Sequence, residues 1–189
     1  NKINDNTSKA IAKMTRMFTK QADYGRSHWV IDVCLNLIKE IQQKKSHPTL
    51  YKNPLTILRQ YLSSCGFSRL EELYEIMKND IIPLFDNITE FPLDNLSIIA
   101  QMFGNVLSNL PYAAKGDRAT KAIESAHKLF ELFFVEIFDK YKETAPECAF
   151  MMLNELVSFS THHLSPVLSF FIDRFKDICL LDSRLSNMT

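Results

Sequence analysis

Residues 117–141 read DRATKAIESAHKLFELFFVEIFDKY, and this stretch decides the fold class. Ile123, Ala126, Phe130, Phe133, Phe134, Ile137, Phe138 and Tyr141 recur at three- and four-residue intervals, which lines them up on one face of an α-helix. A half-buried strand would alternate with period two instead. The paired phenylalanines at 133–134 widen the apolar arc, so this helix is expected to be buried on two sides and to form the centre of the core. With Phe159, Phe170, Phe171 and Phe175 the cluster also has the composition of an apolar ligand pocket, but helical spacing assigns it to core packing.

The same periodicity extends to both ends of the chain and predicts about eight helices. The first spans Ser8 to Ala22, before Gly25. The second starts at Ser27, buries Trp29, Val30, Val33, Cys34, Leu37, Ile38 and Ile41, and stops before Pro48. A short third runs from Pro54 to Ser64, with proline at its first position and Gly66 past its end. The fourth opens at Ser68-Arg-Leu-Glu71, a capping box, and Pro83 must kink or end it. A fifth begins near Asp94, buries Ile99, Met102, Phe103, Val106 and Leu107, and ends before Pro111. The seventh starts with a second capping box, Thr144-Ala-Pro-Glu147, and the eighth runs from Ser165-Pro166 through Phe170, Phe171, Phe175 and Ile178. Only four glycines punctuate 189 residues, too few for a succession of hairpins. We expect a single all-α domain over residues 1–189.

Taken in pairs, the predicted helices begin near residues 8, 54, 94 and 144. That spacing resembles the HEAT and armadillo repeats, whose helical hairpins bury their apolar faces by stacking on one another. The resemblance implies an irregular HEAT-like stack of antiparallel hairpins, with a non-repeating helical bundle as the alternative. Leu93-x-x-Leu96-x-x-Ile99-Ala100-x-x-Phe103 also resembles the helical units of organellar RNA-binding proteins with a FAST-kinase-like or RAP domain, which would imply RNA handling in an organelle.

A net charge of zero conceals an uneven distribution. Residues 1–60 carry 11 Lys and Arg against 4 Asp and Glu, and residues 61–189 carry 11 against 18. Within the basic part, Lys9, Lys13, Arg16 and Lys20 are separated by four, three and four residues and stack along one side of the first helix, opposite Ile11, Met14, Phe18 and Ala22. These four cations are the candidate partner-binding residues, each supplying charge to an extended anionic surface; the plainer alternative is the solvated outer face of a terminal helix. Lys39, Lys44, Lys45, Lys52 and Arg59 continue the basic character without shared spacing or interleaved aromatics, so a single-strand stacking platform is not expected.

No catalytic constellation is evident, and no catalytic residue, metal site or cofactor is assigned. Glu124-x-x-His127 has the spacing of a di-metal ligand pair in a bundle, but the second copy and the two further glutamates are missing; a surface glutamate beside a partly buried histidine is expected. His162-His163 lies between helices without a ligand partner at zinc spacing. P-loop, GxGxxG and GxSxG motifs are absent. Cys34, Cys65, Cys148 and Cys179 form no CxxC pair and read as buried free thiols of a reducing compartment. No apolar run reaches the length of a membrane span. The sequons at Asn6, Asn87, Asn95 and Asn187 are those a chain rich in Asn and Ser contains by chance. The start at Asn1, without methionine, fits a fragment or processed form.

These features predict a non-enzymatic helical scaffold that binds an acidic protein partner or assembles in a larger complex. The alternatives are a nucleic-acid-binding helical repeat and a structural protein that self-assembles head to tail. The expected location is intracellular, cytoplasmic or nuclear, with an organelle such as the mitochondrion as the alternative.

Overall fold

Because the apolar positions follow a helical period, each helix between His28 and Ser160 buries one face in the core. The computed structural model describes residue 13 and residues 28–64, 70–108, 117–160 and 168–186. Among the described residues there are eight α-helices and no strand. They are α1 (His28–Gln43), α2 (Lys52–Ser64), α3 (Leu70–Ile76), α4 (Leu93–Ser108), α5 (Asp117–Phe133), α6 (Pro146–Ser160), α7 (Leu168–Asp173) and α8 (Phe175–Ser186). The all-α class expected from the sequence is the observed one.

Alternate helices lie side by side. The closest packing joins α4 to α6, then α2 to α4, while α3 rests on α5 and α8 on α6; α1 lies against α2. One continuous hydrophobic core extends from Val30 in α1 to Leu156 in α6. At its centre Phe103 meets Phe133 edge to face at 5.2 Å, and Phe134 meets both Phe133 and Phe138 edge to face. Such contacts add to area burial because the positive ring edge meets the negative face.

Two helices continue past their α-helical parts into wider turns. After α3, Met77–Ile81 form a π-turn in which the Ile82 amide reaches back to the Met77 carbonyl, and Ile82–Glu90 tighten into a 3₁₀ segment. Pro83 accounts for the change, since it lacks an amide hydrogen and its ring would strike a carbonyl four residues back. After α5, Phe134–Asp139 form a second π-turn with Phe134, Ile137 and Phe138 all buried. The Tyr141 hydroxyl donates to the Phe85 carbonyl and so ties the two irregular segments together inside the core.

Local chemistry sets the remaining boundaries. At the end of α1 the Ser46 amide donates to Ile41 and the Lys45 amide to Gln42, the paired bonds of a Schellman motif with Lys45 in the left-handed position at φ 45°. His47 caps the Pro48–Tyr51 turn by accepting from the Thr49 amide. The α2 helix begins at Lys52, two residues before the expected Pro54, whose missing donor falls in the first turn where none is needed. The second capping box is displaced. The Ala145 carbonyl accepts the first intrahelical bond, from Ala149, so Thr144 stands one residue too early to cap α6. Ser68, of the first box, lies outside the described residues.

Three further expectations are corrected. The predicted eighth helix is two helices, divided at Arg174. Trp29 and Ile123, assigned to the core, are 42% and 41% exposed, and Phe175 is 68% exposed. Cys179 is exposed, unlike the buried Cys34 and Cys148. At Asn95, a sequon read as one of chance, the side chain is fully buried and donates to the Pro48 carbonyl at 2.9 Å, which leaves no room for a glycan.

Candidate interaction surfaces

Of the four cations singled out in the sequence, Lys13 has helical backbone and an exposed side chain. Lys9, Arg16 and Lys20 lie outside the described residues. Further along the basic part, opposite charges meet within the fold: Lys39 pairs with Asp80 at 2.8 Å and Lys52 with Asp94 at 2.6 Å. Both carboxylates belong to the acidic part of the chain, so the charge asymmetry is partly closed internally. Lys44 pairs with Glu40 one turn back.

A polar rung crosses three neighbouring helices. Arg59 of α2 donates to Gln101 of α4, whose amide nitrogen donates to Glu155 of α6 at 3.0 Å and to Ser97 at 3.1 Å. The members satisfy one another, so the rung fixes the register of α2, α4 and α6. Between α3 and α5 an open groove of about 360 Å³ is lined by Glu71, Glu72, Tyr74, Glu75, Ser125 and Lys128.

The positions considered for chemistry are spread apart. Glu124 is exposed, and the half-buried His127 sets its ring edge to face against Phe170, with centroids 5.7 Å apart. Among the described residues no three His, Cys, Asp or Glu side chains gather into a metal-ligand group. His162, His163 and Cys65 lie outside the described residues. Burial pushes the Cys34 thiol up to about 12. It also raises Cys148, with the neighbouring Glu147 charge adding to the effect. Neither thiol supplies a thiolate at neutral pH.

The surface that sequence reasoning missed is formed by the last two helices. Phe170, Phe171 and Ile178 pack partly on the core. Phe134 stacks on Phe170 and meets Phe171 edge to face. The opposite side displays Leu168, Ile172, Phe175 and Cys179 to solvent. Arg174 holds the pair in place. Its guanidinium donates to Asp139 at 2.7 and 3.0 Å and lies over the Phe134 ring, 4.9 Å from the centroid. Lys142 bridges Asp139 and Asp177. The hydrogen bond to Asp177 raises the Lys142 ammonium above its ordinary value and holds the Asp177 carboxyl below its own. The signal was present in the sequence as the spacing of residues 168, 172, 175 and 179, but two apolar faces on one segment do not announce which is inside.

No family model matches the chain, and neither a curated protein nor a solved structure matches it. Among the described residues no helix is long and apolar enough to cross a membrane.

Proposed function

We propose that the chain is a non-enzymatic helical scaffold, stacked in the manner of HEAT repeats, that binds an acidic protein partner through Lys9, Lys13, Arg16 and Lys20. The observation that carries this proposal is the packing of alternate helices, α2 on α4 on α6 with α3 on α5. Elements that bury themselves against their second neighbours leave a row of helices on each side for a partner. The exposed, helical Lys13 supports the basic segment as the contact.

Titration with poly-glutamate and with a single-stranded RNA, each at two salt concentrations, tests the proposal. Poly-glutamate is expected to bind more tightly than RNA, and reversing the four cations to glutamate should abolish that binding. Preference for RNA with a steep loss of affinity in salt would replace this reading with nucleic-acid binding in a ribonucleoprotein. Binding of neither polyanion overturns both.

A further inference from the structure

The last two helices cover more than they bury of themselves. Among the described side chains of residues 168–186 none is buried, whereas Phe134 beneath them is fully enclosed. The contacts follow one order on both sides. His127 and Phe134 meet Phe170, with centroids at 5.7 and 5.9 Å, and Phe134 also meets Phe171 at 5.2 Å. Asp139 then accepts the forked hydrogen bonds of Arg174, and Lys142 pairs with Asp177. The four receiving groups lie on α5, on the π-turn that continues it, and just beyond that turn. The covering segment therefore runs along one helical stretch in the same direction, ring on ring, arginine on acid, acid on lysine.

We propose that residues 127–142 form a helix-docking site that the chain fills with its own last two helices, and that a partner helix of the same pattern displaces them. The pattern is two adjacent aromatic residues, an arginine three positions after the second, and a carboxylate three positions further on, as in Phe170, Phe171, Arg174 and Asp177. Occupancy is exchanged, not lost. Leaving the site open would set the Phe134 ring against water, a cost proportional to the apolar area exposed, so whatever removes the segment has to replace its rings.

The segment itself is held weakly enough to exchange. Its ion pairs are partly exposed and screened by salt, and elements with few buried contacts open ahead of the core. Aromatic residues on an amphipathic helix would suit any apolar groove; the charges select the partner. A helix with an acid at the arginine position would oppose Asp139 with a like charge, and one with a base at the aspartate position would oppose Lys142. This site is separate from the basic segment at the front of the chain, and the proposal stands if binding of an acidic partner fails.

The probe is a fluorescent synthetic peptide of residues 168–186, titrated into the full chain under reducing conditions with anisotropy as the readout. On the unaltered chain the tethered segment competes at its own effective concentration, and binding is weak. Phe170→Ala with Arg174→Ala, made in the full chain and not in the peptide, loosens the tethered copy and leaves the site intact, so affinity should rise by about tenfold or more. Arg174→Ala alone removes the clamp without removing a ring and should raise it by about threefold. The charge order is tested by reversal. A peptide carrying Arg174→Glu should bind the doubly altered chain about tenfold more weakly, and adding Asp139→Lys to that chain should restore its affinity.

A peptide that binds neither altered chain overturns the proposal. Equal affinity for the altered and unaltered chains also overturns it, because the peptide then sits somewhere other than under its tethered copy. A loss on charge reversal that Asp139→Lys does not restore overturns the assigned pattern.

Discussion

Phe133 and Phe175 sit in helical segments of similar amphipathic pattern, yet one is sealed in the core and the other is two-thirds exposed. Around Phe133 the fold holds together by shape: Phe103, Phe134 and Phe138 are all fully buried, and their rings meet edge to face in sequence. Around Phe175 no residue of α7 is buried. The last two helices are held by partial packing of Phe170, Phe171 and Ile178 and by the charges of Asp139, Lys142, Arg174 and Asp177. Aromatic burial makes a region part of the cooperative unit, whereas charged clamps position a segment that can open by itself.

The largest expected effect tests the first half of that contrast. Phe133→Ala should lower global stability by about 3–5 kcal/mol, the usual cost of a large cavity in a close-packed core, read as a shift in the urea midpoint across the whole protein. Next comes Asp139→Asn, which weakens the contact to Arg174 and the longer one to Lys142. About 1 kcal/mol of local stability is expected to be lost, because these side chains are partly exposed and screened. Hydrogen exchange should accelerate in residues 168–186 and stay unchanged in α4 and α5. Equal acceleration everywhere would erase the distinction between the two regions.

Acid should sharpen it further. The Asp177 carboxyl is held below its ordinary value of 3.8 by the Lys142 hydrogen bond, so its contribution is present above about pH 4 and is lost as pH falls through the lowered value. Lys142 is raised above 10.5, so its share is present below that pH and fades only as pH rises beyond it. Between these limits the clamp is intact. Lowering the pH from 5 to 3 should loosen α8 by less than about 1 kcal/mol, visible as exchange of its amides before any loss of the core signal. The smallest effect is Phe175→Ala, which in dilute solution should leave stability within about 0.5 kcal/mol of the parent. A loss comparable to that of Phe133→Ala would show that the two phenylalanines are equivalent after all.

The helices were legible because their periodicity is strong and their ends are marked by Pro48, Pro83 and Pro146. What escaped is what a single period cannot express. Trp29 and Ile123 share the apolar pattern of their helices, yet each keeps about two-fifths of its surface in solvent. The division at Arg174 has no proline or glycine to announce it; the guanidinium is drawn to Asp139, 35 residues away. Local sequence likewise does not show that Lys39 and Lys52 meet Asp80 and Asp94, since those pairs exist only after the acidic part folds against the basic one. The candidate basic helix was legible as a pattern, and of its four cations only Lys13 is among the described residues.

The π-turn at Phe134–Asp139 has a consequence for how length can vary in this chain. A π-turn holds one residue more than the α-helical turn it replaces, and everything beyond it is rotated by about 100° relative to an uninterrupted helix. Tyr141 reaches Phe85, and Asp139 reaches Arg174, only with that extra residue in place. Deleting Val135, whose side chain is exposed, would restore an ordinary helix at little cost in packed volume while turning both contacts away from their partners. A shortening by one residue there is therefore more disruptive than replacing the same residue, and sequences descended from this one should vary in identity at position 135 far more readily than in length.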